Sequence, residues 1–246
     1  MLNKRCTLLG CNIDLLSFNE AVEFALEKIE RKLPLHIITI NPEIIETAGK
    51  NKQLLDIINS SELVIPESTG IICALKLKGI RQEKIPGIDF SKELIKQCAA
   101  LNYSIAMFGA KENVIKKASE NLQKEFPKLN IAYQNNGYCS NETAVINAVK
   151  ESGAKLVLCA LGAPKQEFFI NKCLKSHNAV YIGIGGSFDV WSGEVKRAPE
   201  IYQKSGLEWL YRTIKQPARI KRIYKTLPLF MLKAAAESMQ GAASAE

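Results

Sequence analysis

The sequence predicts an α/β protein whose mostly parallel sheet carries helices on both faces, followed by a basic helical C-terminal appendage. Three observations carry that expectation. Short aliphatic or β-branched runs recur along the chain and are apolar nearly throughout, which is the pattern of strands covered on both faces. Between them lie stretches with apolar residues at helical spacing. Nearly every run ends in a cluster of glycine, proline, asparagine or serine, the residues that turn a chain sharply.

Taken in order, residues 18–31 form a helical stretch with Ala21, Phe24, Ala25 and Ile29 on one stripe. Ile37-Ile38-Thr39-Ile40 is the first strand and ends at Asn41-Pro42. Leu63-Val64-Ile65 ends at Pro66-Glu67-Ser68, and Ser104-Ile105-Ala106-Met107-Phe108 ends at Gly109-Ala110. A helix over 113–126 precedes Asn130-Ile131-Ala132-Tyr133, which runs into Asn135-Asn136-Gly137, and a further helix covers 141–152. The last two strands, Lys155-Leu156-Val157-Leu158-Cys159-Ala160 and Ala179-Val180-Tyr181-Ile182-Gly183-Ile184, end at Gly162-Ala163-Pro164 and Gly185-Gly186-Ser187. Strands alternating with helices make a Rossmann-like sheet.

The chain has 246 residues, 47% of them hydrophobic and 24% charged, enough to bury a core as one domain with an appendage; disorder and fibrous repeats are excluded. No apolar run approaches the roughly 18 residues of a membrane span. Residues 1–5 lead into Cys11-Asn12-Ile13-Asp14 without a signal-peptide core, so a cytoplasmic protein is expected. Seven scattered cysteines form no Cys-x-x-Cys pair, and His36 and His177 are the only histidines. Neither a disulfide framework, a zinc site nor histidine-based metal catalysis is therefore expected.

The charge is localised. Residues 196–233 hold ten bases against Glu200 and Glu208, a local balance of +8 that equals the net charge of the whole chain. This divides the molecule into a nearly neutral α/β core, 1–195, and a cationic appendage, 196–246. A phosphate-rich ligand, an anionic membrane surface and nucleic acid are the candidate partners. Leu207, Leu210, Tyr211 and Ile214 recur at helical spacing, Pro217 interrupts, and Ile220, Ile223, Tyr224 and Leu227 resume the stripe with Arg212, Lys215, Arg219 and Arg222 among them. Such a basic amphipathic helix pair suits a peripheral membrane protein; a helix packed on the core with solvated bases is the plainer alternative. The alanine-rich residues 234–246 read as a frayed end.

In open α/β sheets the ligand crevice lies at the carboxyl ends of the strands, where the turn clusters fall. Helix starts with free N–H groups, approached closely over glycine, suit a nucleotide-like anion. Ile182-Gly183-Ile184-Gly185-Gly186-Ser187 lacks the third glycine of a dinucleotide fingerprint and falls late in the chain. Gly162-Ala163-Pro164-Lys165-Gln166-Glu167 combines a strand end, a proline suited to a first helical turn, a cation, an amide and a carboxylate. Alone, that segment reads as an ordinary helix start with Lys165 and Glu167 in solvent.

It does not stand alone. Leu161-Gly162-Ala163-Pro164-Lys165-Gln166-Glu167, the run from Gly185 through Asp189, Trp191 and Arg197 to Pro199, and Gly206-Leu207-Glu208-Trp209-Leu210-Tyr211-Arg212 together resemble the WecG/TagA/CpsF glycosyltransferase family. Asn41-Pro42-Glu43, Gly87-Ile88-Asp89-Phe90, Phe108-Gly109-Ala110 and Asn136-Gly137-Tyr138 are similar to its other landmarks, so the resemblance covers almost the whole chain. It implies an inverting, metal-independent transferase, without cofactor, that moves a sugar from a UDP-sugar to a polyprenyl-diphosphate-linked acceptor at the inner face of a bacterial membrane. The expected reaction is N-acetylmannosamine transfer to undecaprenyl-diphosphate-N-acetylglucosamine, in cell-wall or teichoic-acid synthesis. The partners it implies are those two substrates and the membrane surface, not nucleic acid, with a homo-oligomer possible.

The resemblance also implies residue roles. The family pattern after the second strand is Pro-Asp-Gly-x-Gly with a proposed aspartate base, where this chain has Pro66-Glu67-Ser68-Thr69-Gly70, and Lys84 stands where the family often has arginine. Glu67, Lys84 and Gln166 are thus the candidate catalytic residues; a glutamate favoured by a helix dipole is the competing reading of Glu67. Lysine keeps the charge at position 84 but loses bidentate phosphate geometry. Thr39, Asn41, Gly109, Gly137, Tyr138, Gly162, Lys165, Gly186, Ser187, Arg212, Arg219 and Arg222 are the candidate substrate-binding residues, with Tyr138 stacking on the uracil. A Thr in the sheet, an Asn-Pro turn and an ordinary turn aromatic remain open as the readings of Thr39, Asn41 and Tyr138. Asp189 is expected to order the Gly-Gly-Ser loop. A nucleic-acid-binding module, resting on the tail charge, and a nicotinamide-dependent oxidoreductase, resting on the glycine run, are the alternatives.

Overall fold

The structure is a computed structural model that describes residues 4–204, 208, 210, 211 and 220–243. Strands β1 (Arg5–Leu8) and β2 (Cys11–Asp14) form an antiparallel hairpin. Then follow α1 (Phe18–Glu30), β3 (Leu35–Ile40), α2 (Pro42–Ala48), α3 (Lys52–Ser60), β4 (Leu63–Pro66), α4 (Thr69–Leu77) and α5 (Gly87–Ala100). The second half holds β5 (Ser104–Gly109), α6 (Glu112–Glu125), β6 (Asn130–Asn135), α7 (Glu142–Glu151), β7 (Leu156–Ala160), α8 (Lys165–Cys173), β8 (Val180–Gly183), α9 (Ser187–Trp191) and α10 (Glu200–Lys204). A last helix, α11, spans Ile220–Ala243, with side chains described for 226–240.

Strands β3 to β8 form one parallel sheet of six in the order β4-β3-β8-β7-β5-β6, so the predicted fold class holds. Because side chains alternate across a sheet, each strand feeds both faces. Leu35 and Ile37 of β3, Ile105 and Met107 of β5 and Leu156 and Leu158 of β7 pack with α1, α5, α6 and α9. Ile38 and Ile40 of β3 and Val64 of β4 pack with α2, α3, α4 and α11. Val157 and Cys159 of β7 and Tyr181 of β8 pack with α7 and α8. The edge strand β6 alternates between exposed and half-buried residues, since only one neighbour covers it.

The connections position the site. After β3 and β7 the chain turns to one face, as α2 and α8; after β8, which lies between those strands, it turns to the other, as α9. Turns that part in opposite directions leave a crevice at the strand ends. Local chemistry fixes where the helices start: Asn41 accepts from the Ile44 N–H with Pro42 in the first turn of α2, and Ser68 accepts from the Ile71 N–H to cap α4.

The C-terminal end corrects one expectation. Residues 234–243 are not frayed: they continue α11, which lies on α2 and α4 with Phe230 and Ala234 fully buried. Lys233 pairs with Glu46 at 2.7 Å, Glu237 with Lys78 at 3.2 Å, and the Ser238 hydroxyl donates to the Leu77 carbonyl. Small alanines allow that close approach, which composition alone does not reveal.

Candidate active site

At the first end of the crevice, the Glu67 N–H donates to the Ile40 carbonyl and the Ile85 N–H donates to the Pro66 carbonyl. These two bonds bring the segment with Lys84 and the residue after β4 beside the end of β3. There the Asn41 Nδ2 lies 3.5 Å from Glu67 Oε2, while Asn41 Oδ1 caps α2. The Thr39 hydroxyl donates to the Gly183 carbonyl at 3.3 Å and ties β3 to β8. Gly87, the first residue of α5, closes the group: a Cβ there would lie 2.9 Å from Glu67 Oε1. Glu67 and Lys84 are both half-buried.

The centre of the crevice is the start of α8. Gln166 is 3% exposed, and its carboxamide is held on both sides: Oε1 accepts from the Gly185 N–H at 3.3 Å and Nε2 donates to Glu167 Oε1 at 2.9 Å. The amide lies so close over Gly183 that a Cβ there would come within 2.4 Å of it. Glu167 is 2% exposed, not solvated as the segment alone suggests. Burial raises its pKa above the ordinary glutamate value, and the Glu67 charge adds to that shift. Lys165 is exposed, and Pro164 gives α8 no side-chain cap; within the first turn the Gln166 N–H donates to the Gly162 carbonyl and the Glu167 N–H to its own carboxylate.

At the far end, Gly109 has φ +124° and a Cβ there would lie 2.4 Å from the Ala160 carbonyl oxygen, so β5 and β7 close on each other only over a bare Cα. The Gly137 N–H donates to the Ala110 carbonyl and brings the turn after β6 to the same rim, where Tyr138 is 76% exposed. Gly162, with φ +75°, has open space above its Cα. Gly186 is exposed; Ser187 is buried and its hydroxyl donates to the Ile184 carbonyl.

Thr39, Asn41, Glu67, Lys84 and Gln166 therefore meet at the strand ends, and Gly109, Gly137, Tyr138, Gly162, Lys165, Gly186 and Ser187 line the same edge of the sheet. Arg212 and Arg219 lie outside the described residues, as does the side chain of Arg222. Asp189 orders its surroundings through its main chain: its carbonyl accepts from the Val195 N–H and the Ser192 hydroxyl. The loop itself is held by Ser187 and Gln166. Two neighbours of these residues lie in the quoted motifs without a role assigned from sequence. The fit of Gly87 is visible only through what it touches, and the facing of Glu167 depends on how α8 is rotated against β8. Among the described residues, no three metal-ligating side chains come together.

The chain matches the model of the glycosyl transferase WecG/TagA/CpsF family over residues 6–244. It belongs to that family. Over 223 residues it is 37% identical to the N-acetylglucosaminyldiphosphoundecaprenol N-acetyl-beta-D-mannosaminyltransferase of Bacillus subtilis, covering 90% of this chain and 86% of the relative. The protein of the same name from Bacillus spizizenii is 36% identical over 189 residues, 76% of this chain and 74% of the relative.

Proposed function

We propose that this glycosyltransferase moves N-acetylmannosamine from its UDP-linked form to an undecaprenyl-diphosphate-linked N-acetylglucosamine acceptor, with inversion and without a metal. The observation that carries the reading is the half-buried carboxylate of Glu67, set at the strand ends beside Asn41 and across the crevice from the start of α8. The names of the relatives supply the acceptor and the sugar.

In this reading UDP lies along the strand ends, its diphosphate at the start of α8 with Lys165 and Lys84, its uridine at the rim formed by Gly109, Gly137 and Tyr138. Gly162, Gly186 and Ser187 let the main chain approach the phosphates, while Thr39 and Asn41 hold the sugars. Glu67 takes the proton of the acceptor hydroxyl as its oxygen attacks the anomeric carbon from the face opposite the diphosphate. The bond from that carbon to the phosphate oxygen breaks, UDP departs with the electron pair, and the configuration inverts. Gln166, held by its two hydrogen bonds, keeps the glycine loop in register with α8.

The appendage supplies membrane attachment. Among the described residues no helix is long and apolar enough to cross a membrane. Yet Leu229, Leu232 and Met239 stand exposed along the side of α11 turned away from Phe230 and Ala234, and the basic segment precedes them. Apolar side chains beside cations suit the anionic inner face of a cell membrane. Arg212, Arg219 and Arg222 would meet headgroups or the acceptor diphosphate.

A panel of UDP-sugars with a short-chain lipid-diphosphate acceptor tests the reading. Turnover is expected with UDP-N-acetylmannosamine, and UDP is expected to bind equally well with and without a chelator. No product with any UDP-sugar, or UDP affinity abolished by the chelator, overturns it.

A further inference from the structure

Glu167 is a carboxyl whose pKa burial raises, although the bonds it accepts from Gln166 and from its own N–H work the other way. Oε1 accepts from Gln166 Nε2, but Oε2 is buried without a hydrogen-bond partner among the described residues. Among the described residues, the titratable groups that act on it are acids: Glu67 across the crevice and the buried Cys159 thiol of β7. Among the described residues, the other elements packed on α8 bring no counter-ion: Asp56 of α3 is exposed, and Glu142 of α7 pairs with Lys172 in the last turn of α8. His36 of β3 is held neutral by burial, and Lys165, its neighbour on α8, is exposed.

An ionised carboxylate in this place has one oxygen stripped of water and given nothing in return, which is expensive. A carboxylic acid has no such charge, and its carbonyl oxygen still accepts from Gln166 Nε2. Glu67 adds a like charge across the crevice, which disfavours the ionised form of Glu167 further.

We propose that Glu167 is a positioning residue that works as a neutral carboxylic acid: it locks the Gln166 carboxamide against Gly185 and, of the two carboxyls Glu67 and Glu167, adds no charge of its own to the crevice that receives the donor diphosphate. This rests on the reading of the crevice as the donor site and of Glu67 as the base. The device explains why Gln166, pressed onto Gly183, points its oxygen at the Gly185 N–H: its amide nitrogen is already committed to Glu167.

Two measurements on the full chain decide it. The infrared difference between the parent and Glu167→Gln at neutral pH should contain a protonated-carboxyl carbonyl band that only the parent shows; a difference spectrum with carboxylate bands alone overturns the proposal. Calorimetric titration of UDP should show Glu167→Ala weakened about tenfold, the effect of losing one hydrogen bond that holds the site, and Glu167→Gln restored to most of the parental affinity. Glutamine no better than alanine overturns the positioning role, as does alanine binding UDP like the parent. If Glu167→Ala fails to fold, the infrared band and the affinity of the glutamine variant, expected well within tenfold of the parent, still decide. Neither measurement uses turnover: a parent that binds no UDP defeats the donor-site reading while the infrared band judges Glu167, and an undiminished rate in Glu67→Gln defeats only the base.

Discussion

The Glu67 carboxylate rests against the bare Cα of Gly87, where a Cβ would lie 2.9 Å from Glu67 Oε1 and 2.9 Å from Thr39 Cγ2. The φ of Gly87 is not in the left-handed region, so the constraint is room and not backbone strain. Alanine normally favours a helix over glycine by about 1 kcal/mol, and here that gain is set against a displaced carboxylate. Gly87→Ala is expected to lower turnover by roughly 10- to 100-fold through misplacement of Glu67, while UDP still binds. Parallel kinetics and UDP titration check this; a parental rate would show that Glu67 has slack.

Replacing Glu67 by glutamine removes the base but keeps the shape. Turnover is expected to fall by about 10²- to 10⁴-fold with UDP binding retained. Glu67→Asp withdraws the carboxylate by one methylene and should keep part of the activity, aspartate being the family's own residue there. If Glu67 serves only the start of α4, both variants will turn over at the parental rate and differ only in melting temperature, by less than about 1 kcal/mol of stability.

His36 gives the molecule a pH dependence of stability. Its ring is buried in β3 with Nε2 unpartnered among the described residues, and burial pushes its pKa down to about 3. The unfolded chain takes up this proton below about pH 6.5, whereas the folded chain resists it. Stability from this group is therefore complete above about pH 6.5 and is lost as pH falls towards 3, by at most about 1.4 kcal/mol per pH unit. Melting curves of the parent and His36→Phe between pH 7 and 4 should converge as the parent loses stability faster. Parallel curves would show that His36 is protonated in the fold.

The exposed side of α11 is expected to meet lipid. Leu232 is 70% exposed, so Leu232→Glu should leave the melting temperature within about 1 °C while weakening binding to anionic vesicles. Flotation at rising salt should also weaken the parent, because the basic segment acts through screened charges. Unchanged flotation of Leu232→Glu would remove this face from the membrane contact.

The strands were legible in the sequence because a strand covered on both faces must be apolar along its whole length, and five of the six sheet strands lie on runs that show it, while the edge strand β6 alternates along Asn130-Ile131-Ala132-Tyr133. Helices α1, α6 and α7 were legible for the same kind of reason, through their apolar stripes. The short helices α2, α3 and α4 and the hairpin β1–β2 were not, since a few turns carry too little periodicity and are defined by caps such as Asn41 and Ser68 and by what covers them. The motif residues also pointed to the strand ends where the structure gathers Thr39, Asn41, Glu67 and Gln166. Only the tertiary structure decided that Glu167 is buried rather than solvated, that Gly87 makes room for Glu67, and that residues 234–243 extend a docked helix. Burial and clearance belong to pairs of residues far apart in the chain, 67 with 87 and 166 with 183, whereas composition and periodicity report only on neighbours along it.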